Sequence, residues 1–217
     1  MAIHLYTVSG SPFCWRVHLA LEHKGADYEL KWISESKGEN RTDAYLAINP
    51  RGKVPAITDD DFALYESGAI LEYLEDRFPD GPALFPGDVQ ARALIRRLAR
   101  EFDHYCWEHH WKLTRNLFFK RANEWDLDEV ESGRQGWLEE LATLEANLHR
   151  DYLAGDAISA ADFSLYPLIA SFPRFELRKP ELQMAASLGP KLQAWKSRIE
   201  ALPYFDRTFP PHWRERP

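Results

Sequence analysis

Cysteine is scarce in these 217 residues, and the two present, Cys14 and Cys106, cannot build a disulfide framework. Free thiols suit a reducing compartment, so the expected location is cytoplasmic. Long apolar runs are also missing: none approaches the roughly 20 residues needed to cross a bilayer. The N-terminus enters strand-like sequence without the basic segment and apolar stretch of a secretory leader, so neither export nor a membrane partner is expected. A basic excess is absent too. With 34 acidic residues against 27 basic and a pI near 5.6, the surface repels polyanions, which weighs against a nucleic-acid partner. There is no internal repeat or low-complexity tract, and no HExxH or paired-cysteine motif completes a metal ligand set.

What remains is chain enough for two ordinary domains, each with its own core. Residues 3–8 and 28–33 read as buried strands. Between them Ser11 can cap a helix, Pro12 fits its first turn, Phe13, Val17, Ala20 and Leu21 form an apolar stripe, and Lys24-Gly25 supplies the ending. A short helix at 43–48 follows, then a hairpin of 54–58 and 62–65 around Asp59, Asp60 and Asp61, then a helix over 66–78. Pro79, Asp80, Gly81, Pro82, Pro86 and Gly87 give the next stretch the composition of a linker. The expected domains are therefore residues 1–80, mixing strands and helices, and residues 88–217, an all-helical bundle with helices over 88–120, 129–151, 159–172 and 190–202.

Three short segments carry chemistry. Ser11-Pro12 has a plain structural use as an N-cap and first-turn proline, but a helix N-terminus directly after a first strand also stabilises an anion, such as a thiolate. A capping serine uses its oxygen as acceptor and keeps its O–H to donate. Val54-Pro55, in Asn49-Pro50-Arg51-Gly52-Lys53-Val54-Pro55, reads on its own as an ordinary proline at a strand start. Glu66-Ser67 sits where a strand runs into a helix. There it serves the helix terminus, or it complements an amino-acid head, with Glu66 for the ammonium and Ser67 for the carboxylate.

Taken in this order and spacing, the segments resemble the glutathione transferase superfamily, and the resemblance covers essentially the whole chain. Ser11-Pro12-Phe13-Cys14-Trp15-Arg16-Val17 looks like the serine signature of the tau-type classes, while Trp15-Arg16-Val17 and Leu19-Ala20-Leu21 are also similar to the zeta type. The zeta pattern has a second serine and then a cysteine where this chain has Pro12 and Phe13, which favours the tau-like arrangement. The resemblance implies an α/β thioredoxin-like N-terminal domain plus an all-α helical-bundle C-terminal domain. It implies that Ser11 stabilises the glutathione thiolate, that Val54 before a cis Pro55 pairs with the cysteinyl backbone, and that Glu66 and Ser67 hold the γ-glutamyl end. Lys53 would help hold the glycyl carboxylate, a role open also to Lys37 or Arg41. The implied partners are glutathione as co-substrate, a small apolar electrophile and a second copy of the chain in a homodimer, with no metal. Thiol-disulfide reduction, isomerisation and non-catalytic binding of glutathione or a protein are alternatives within the same resemblance.

Ser11-Pro12-Phe13-Cys14 has the spacing of a dithiol redox motif with its first thiol replaced, so the dithiol mechanism is unavailable and Cys14 reads as a packed helix residue, with a monothiol redox role as the alternative. Ser159 with Asp162 forms a capping box, flanked by Ile158 and Phe163 as a hydrophobic staple, and begins a core helix. Leu94, Leu98, Phe102 and Tyr105 read as one inward stripe, leaving some of His104, Glu108 and Trp111 for a second-substrate pocket or for ordinary aromatic packing. Arg92, Arg96, Arg97 and Arg100 read as a solvated or dimer-contacting face.

Overall fold

Ile3, Leu5 and Thr7 are buried while His4 and Tyr6 between them are half-buried, the period-two pattern of a strand with one face on a core. In the computed structural model, which describes residues 2–214, this strand is β1 (Ile3–Thr7). It pairs in parallel with β2 (Tyr28–Trp32) and antiparallel with β3 (Ala56–Asp59), which pairs antiparallel with β4 (Phe62–Tyr65), giving the order β2-β1-β3-β4. Helix α1 (Pro12–Lys24) makes the crossover from β1 to β2. Its residues 14–21 are all buried, and it stops at Gly25, whose left-handed φ of 63° lets its N–H turn back to the Glu22 and Leu21 carbonyls. Helices α2 (Asp43–Ile48) and α3 (Ser67–Arg77) complete the arrangement, which is the thioredoxin-like α/β fold.

The chain divides into two units. Residues up to Pro86 together with those from Leu202 onward form the first, and Gly87–Ala201 the second. The stretch from Leu202, assigned from sequence to the helical bundle, thus belongs with the strands. The reason lies in the outer side of α1. Trp15 donates through Nε1 to Thr208 Oγ1 at 3.0 Å and meets the rings of Phe205 at 6.2 Å and Phe209 at 5.6 Å, while His23 Nδ1 and Tyr204 Oη are hydrogen-bonded at 2.8 Å. These contacts are aromatic and far apart in sequence, so no local periodicity announces them.

The second unit contains α4 (Val89–Glu101), a π-helical turn (Phe102–Cys106), α5 (Trp107–Leu117), α6 (Leu127–Asn147), α7 (Ala160–Ala170), α8 (Phe172–Arg178) and α9 (Pro190–Glu200). Two short helices, α10 (Phe205–Thr208) and α11 (Pro211–Arg214), follow in the returning segment. Residues 160–169 of α7 are all buried, and Asp162 closes the cap of the helix and ties its start to two other segments. The Asp162 carboxylate accepts from Ser159 N at 2.8 Å, Ser159 Oγ at 2.9 Å, Leu153 N at 3.0 Å and Trp195 Nε1 at 2.8 Å. The inward stripe expected along α4 needs correction. Ile95, Phe102, Cys106, His110, Leu113 and Leu117 are buried, whereas Leu94 is 38% and Tyr105 59% exposed. The buried face already runs through Ile95 rather than Leu94, and Cys106, four residues on from Phe102, follows it inward rather than Tyr105.

In the first unit α1 and α3 are joined by a buried ion pair, Lys24 Nζ to Glu75 Oε2 at 2.8 Å, and the same carboxylate accepts from Leu84 N at 2.8 Å and Phe85 N at 3.3 Å. Burial alone would push the Glu75 carboxyl up, but the Lys24 ammonium and these two N–H groups together hold it below its ordinary value. A carboxyl lowered in the folded state stabilises the fold fully above its unfolded value, about 4.3, and that contribution is lost as pH falls through the folded value. Glu75→Gln should therefore cost about 3 kcal/mol in urea unfolding at neutral pH, because Lys24 is left charged and buried, with a much smaller difference from wild type near pH 3. A difference of equal size at both pH values would show that the charge of Glu75 is not what matters.

Candidate functional site

Ser11 is the N-cap of α1, with extended φ and ψ of −72° and 123°, and its Oγ accepts from Cys14 N at 3.4 Å. That bond uses an oxygen lone pair and leaves the hydroxyl proton to donate elsewhere. The 13-residue helix behind it directs its positive end at the same point, and Pro12 at the first position brings no N–H of its own. Ser11 is half-buried, whereas Cys14, one turn on, is 1% exposed. Burial pushes the Cys14 thiol above its ordinary value even though Ser11 and the Val8 backbone oppose the shift, so Cys14 is a packed thiol and not an exposed nucleophile.

The second wall is the segment before β3. The Val54–Pro55 bond is cis, and Val54 lies two residues ahead of the first paired residue of β3, Ala56. Two buried asparagines and a tyrosine fix the approach to it. Asn49 Nδ2 and Tyr45 Oη both donate to the Lys53 carbonyl at 2.7 Å, and Asn40 Nδ2 donates to the Gly52 carbonyl at 2.8 Å. Gly52 has φ 61°, and a Cβ there would come within 2.8 Å of the Asn40 carbonyl and 2.9 Å of the Arg41 guanidinium, so this position requires glycine on two counts. Arg41 is thus packed beside Gly52, while the side chain of Lys53 is left to solvent.

The third wall is the start of α3. Ser67 is buried, and its Oγ accepts from Arg16 Nη1 at 3.4 Å. Arg16 is fully buried, its guanidinium 5.0 Å from the centre of the Phe13 ring, so a positive charge lies behind the Ser67 hydroxyl. Glu66 is exposed, caps α3 without a side-chain bond, and has φ 71° and ψ 108°. An L-residue in that region carries backbone strain, of a kind that collects at functional sites.

Residues 10–77 match the family model of the glutathione S-transferase N-terminal domain, and residues 107–203 that of the C-terminal domain. Glutathione S-transferase 1 of Dianthus caryophyllus is 33% identical, over 86% of this chain and 85% of its own. The chain belongs to the glutathione S-transferase family. Maleylacetoacetate isomerase of Pseudomonas aeruginosa is 32% identical over 98% of each chain, so the similarity extends to a protein named for an isomerisation. Among solved structures, the theta-class glutathione S-transferase of Xanthomonas axonopodis pv. citri with glutathione bound superposes at a TM-score of 0.81, with 26% identity over 95% of this chain and 96% of that one.

Against this family background, Ser11, Lys53, Val54, Pro55, Glu66 and Ser67 all fall in the first unit, at the ends of α1, β3 and α3 that the sheet order sets side by side. His104, Glu108 and Trp111 belong to the second unit. His104, in the π turn, is exposed; Glu108 is exposed and pairs with Lys112 at 3.2 Å; Trp111, 39% exposed, stacks on Trp107 at 5.8 Å. Sequence reasoning missed Arg16, Asn40, Tyr45 and Asn49. Arg16 had a usable signal, a cation inside an otherwise apolar helical run, whereas the other three declare themselves only through backbone carbonyls brought close by the loop.

The strain at Glu66 can be measured. Glu66→Gly, which removes the steric cost of positive φ, should stabilise the protein by about 1 kcal/mol despite glycine's larger unfolded-state entropy. Equal or lower stability on chemical denaturation would mean that Glu66 is not strained.

Proposed function

We propose that the chain works as a glutathione transferase through Ser11, whose hydroxyl donates a hydrogen bond to the sulfur of bound glutathione and holds it as thiolate. The observation that carries this reading is the geometry of the cap: an acceptor bond from Cys14 N, a hydroxyl proton not used by it, and a helix terminus aimed at the same point. A free thiol with pKa near 8.5 is only a few per cent ionised at neutral pH, and each unit of lowering requires about 1.4 kcal/mol of preferential thiolate stabilisation. One hydrogen bond and a helix end are of that order.

The rest of the tripeptide follows the walls of the site. Val54, ahead of the β3 ladder, pairs with the cysteinyl backbone, with Pro55 setting its direction. Glu66 takes the γ-glutamyl ammonium and Ser67 its carboxylate, a pairing supported by the buried charge of Arg16 behind Ser67. Lys53 holds the glycyl carboxylate, with Arg41 beside Gly52 as a second cation. The thiolate attacks a small apolar electrophile, and His104, Glu108 and Trp111 are the side chains we assign to contacts with it, the exposed ring of Trp111 being the best suited. The working form is a cytoplasmic homodimer. Thiol-disulfide reduction through a protein dithiol has no support here, because Ser11 stands where the attacking thiol would be and Cys14 is buried.

Ser11→Ala should lower conjugation of glutathione to a chloronitrobenzene at least tenfold, roughly the worth of one charge-assisted hydrogen bond, while retention on immobilised glutathione survives. Ser11→Thr, which keeps a hydroxyl, should retain most of the activity. Unchanged conjugation by the alanine variant would remove Ser11 from the mechanism.

A further inference from the structure

The turn that leads into Ser11 is braced from outside by the returning end of the chain. Ser11 N donates to the Val8 carbonyl at 3.4 Å, closing a four-residue turn whose third residue, Gly10, has φ 83°. A Cβ on Gly10 would lie 2.9 Å from His212 Cε1 and 3.1 Å from Trp213 Nε1, so the backbone of this turn lies directly against α11. Ser9 Oγ and His212 Nδ1 are hydrogen-bonded at 2.7 Å. A hydroxyl can donate to a bare ring nitrogen or accept from a protonated one, so this bond holds for either state of the imidazole.

Helix α11 is in turn anchored on α1 and α10. Trp213 meets Trp15 edge-on at 5.4 Å and Phe209 at 6.1 Å, and Arg214 lies over the Phe209 ring at 5.2 Å while donating to the Asp206 carboxylate at 3.0 Å. Yet the turn is not tightly packed on every side. A cavity of about 150 Å³, lined in part by Ser9, Ser11, Cys14, Trp15 and Phe209, lies beside it. Close packing therefore does not by itself fix the turn. The Ser9–His212 bond, together with the close approach at Gly10, is what ties this turn to α11.

We propose that His212 is a positioning residue for Ser11, acting through Ser9 and the close approach at Gly10 to fix the direction of the cap hydroxyl. This rests on the reading of Ser11 as the hydroxyl that stabilises the thiolate. A cap displaced by a fraction of an ångström misdirects its O–H and the helix end behind it, whereas the groups assigned to the peptide backbone and γ-glutamyl end are untouched. Loss of the brace therefore lowers turnover and thiol ionisation without weakening glutathione binding.

The test compares wild type with His212→Ala, His212→Asn, His212→Gln, Ser9→Ala and Ser11→Ala, measuring kcat, KM for glutathione, the ultraviolet difference absorbance of bound thiolate and its pH dependence. For His212→Ala and Ser9→Ala we expect kcat to fall about tenfold and the bound thiol to ionise at higher pH, with KM changed less than about twofold. The side-chain amide of asparagine occupies the position of Nδ1, so His212→Asn recovers most of the activity; glutamine reaches the position of Nε2 instead and does not. Thiol ionisation in His212→Ala identical to wild type overturns the proposal, as does a loss that asparagine fails to recover and that follows a fall in Tm. If Ser11→Ala ionises glutathione normally, the Ser11 reading falls and this one with it. If only Ser11→Ala is impaired, the Ser11 reading stands and the brace is refuted.

Discussion

A helix that begins immediately after the first strand ends in unpaired polarity, and the site is organised around that fact. The first turn of α1 cannot complete its own hydrogen bonds, and Pro12 and Ser11 meet the deficit in different ways: one by having no N–H, the other by accepting from Cys14 N. A cap of this kind is an ordinary folding device in any helix. We propose that it becomes a site because the end of β1 pairs beside the start of β3, and β3 in turn beside β4, which leads into α3, so that these three segment ends lie next to one another. In the proposed function folding and chemistry draw on one group, since the oxygen of Ser11 accepts from the helix and its proton is not used by that bond.

Around that point the fold spends buried polar groups where apolar ones would pack more simply. Asn40, Asn49 and Tyr45 hold the carbonyls of Gly52 and Lys53, and Arg16 stands fully buried behind Ser67. Each of these bonds is worth only about 1 kcal/mol net, but leaving one partner unsatisfied costs more. Their effect is therefore less on total stability than on uniqueness of shape: the backbone before β3 and the hydroxyl of Ser67 have one low-energy arrangement before any ligand arrives. Glu66 adds the opposite feature, a residue kept at positive φ at a cost in stability.

Much of this was legible in the residues themselves. The start and end of α1 were set by Ser11-Pro12 and Lys24-Gly25, α2 was found at 43–48, and the Ser159–Asp162 box begins α7 as its spacing requires. These are local signals, written in residues within one turn of each other. The features that escaped depend on distance or on backbone detail. The return of the chain from Leu202 onto α1 rests on aromatic contacts between Trp15 and residues almost two hundred positions later. The buried face runs through Ile95, Phe102 and Cys106, one residue away from Leu94 and Tyr105, in a stretch where adjacent residues are both apolar, and no Pro or Gly announces the π turn at Phe102–Cys106. Of the proposed site, Ser11, Val54-Pro55 and Glu66-Ser67 carry local signals, whereas Asn40, Tyr45 and Asn49, which hold the backbone around them, do not.

The most direct measurement is the crystal structure of the complex with glutathione. The sulfur is expected within about 3.5 Å of Ser11 Oγ, the cysteinyl backbone paired with Val54 and the γ-glutamyl carboxylate at Ser67. A tripeptide bound with its sulfur away from the start of α1, or turned toward Cys14, would contradict it.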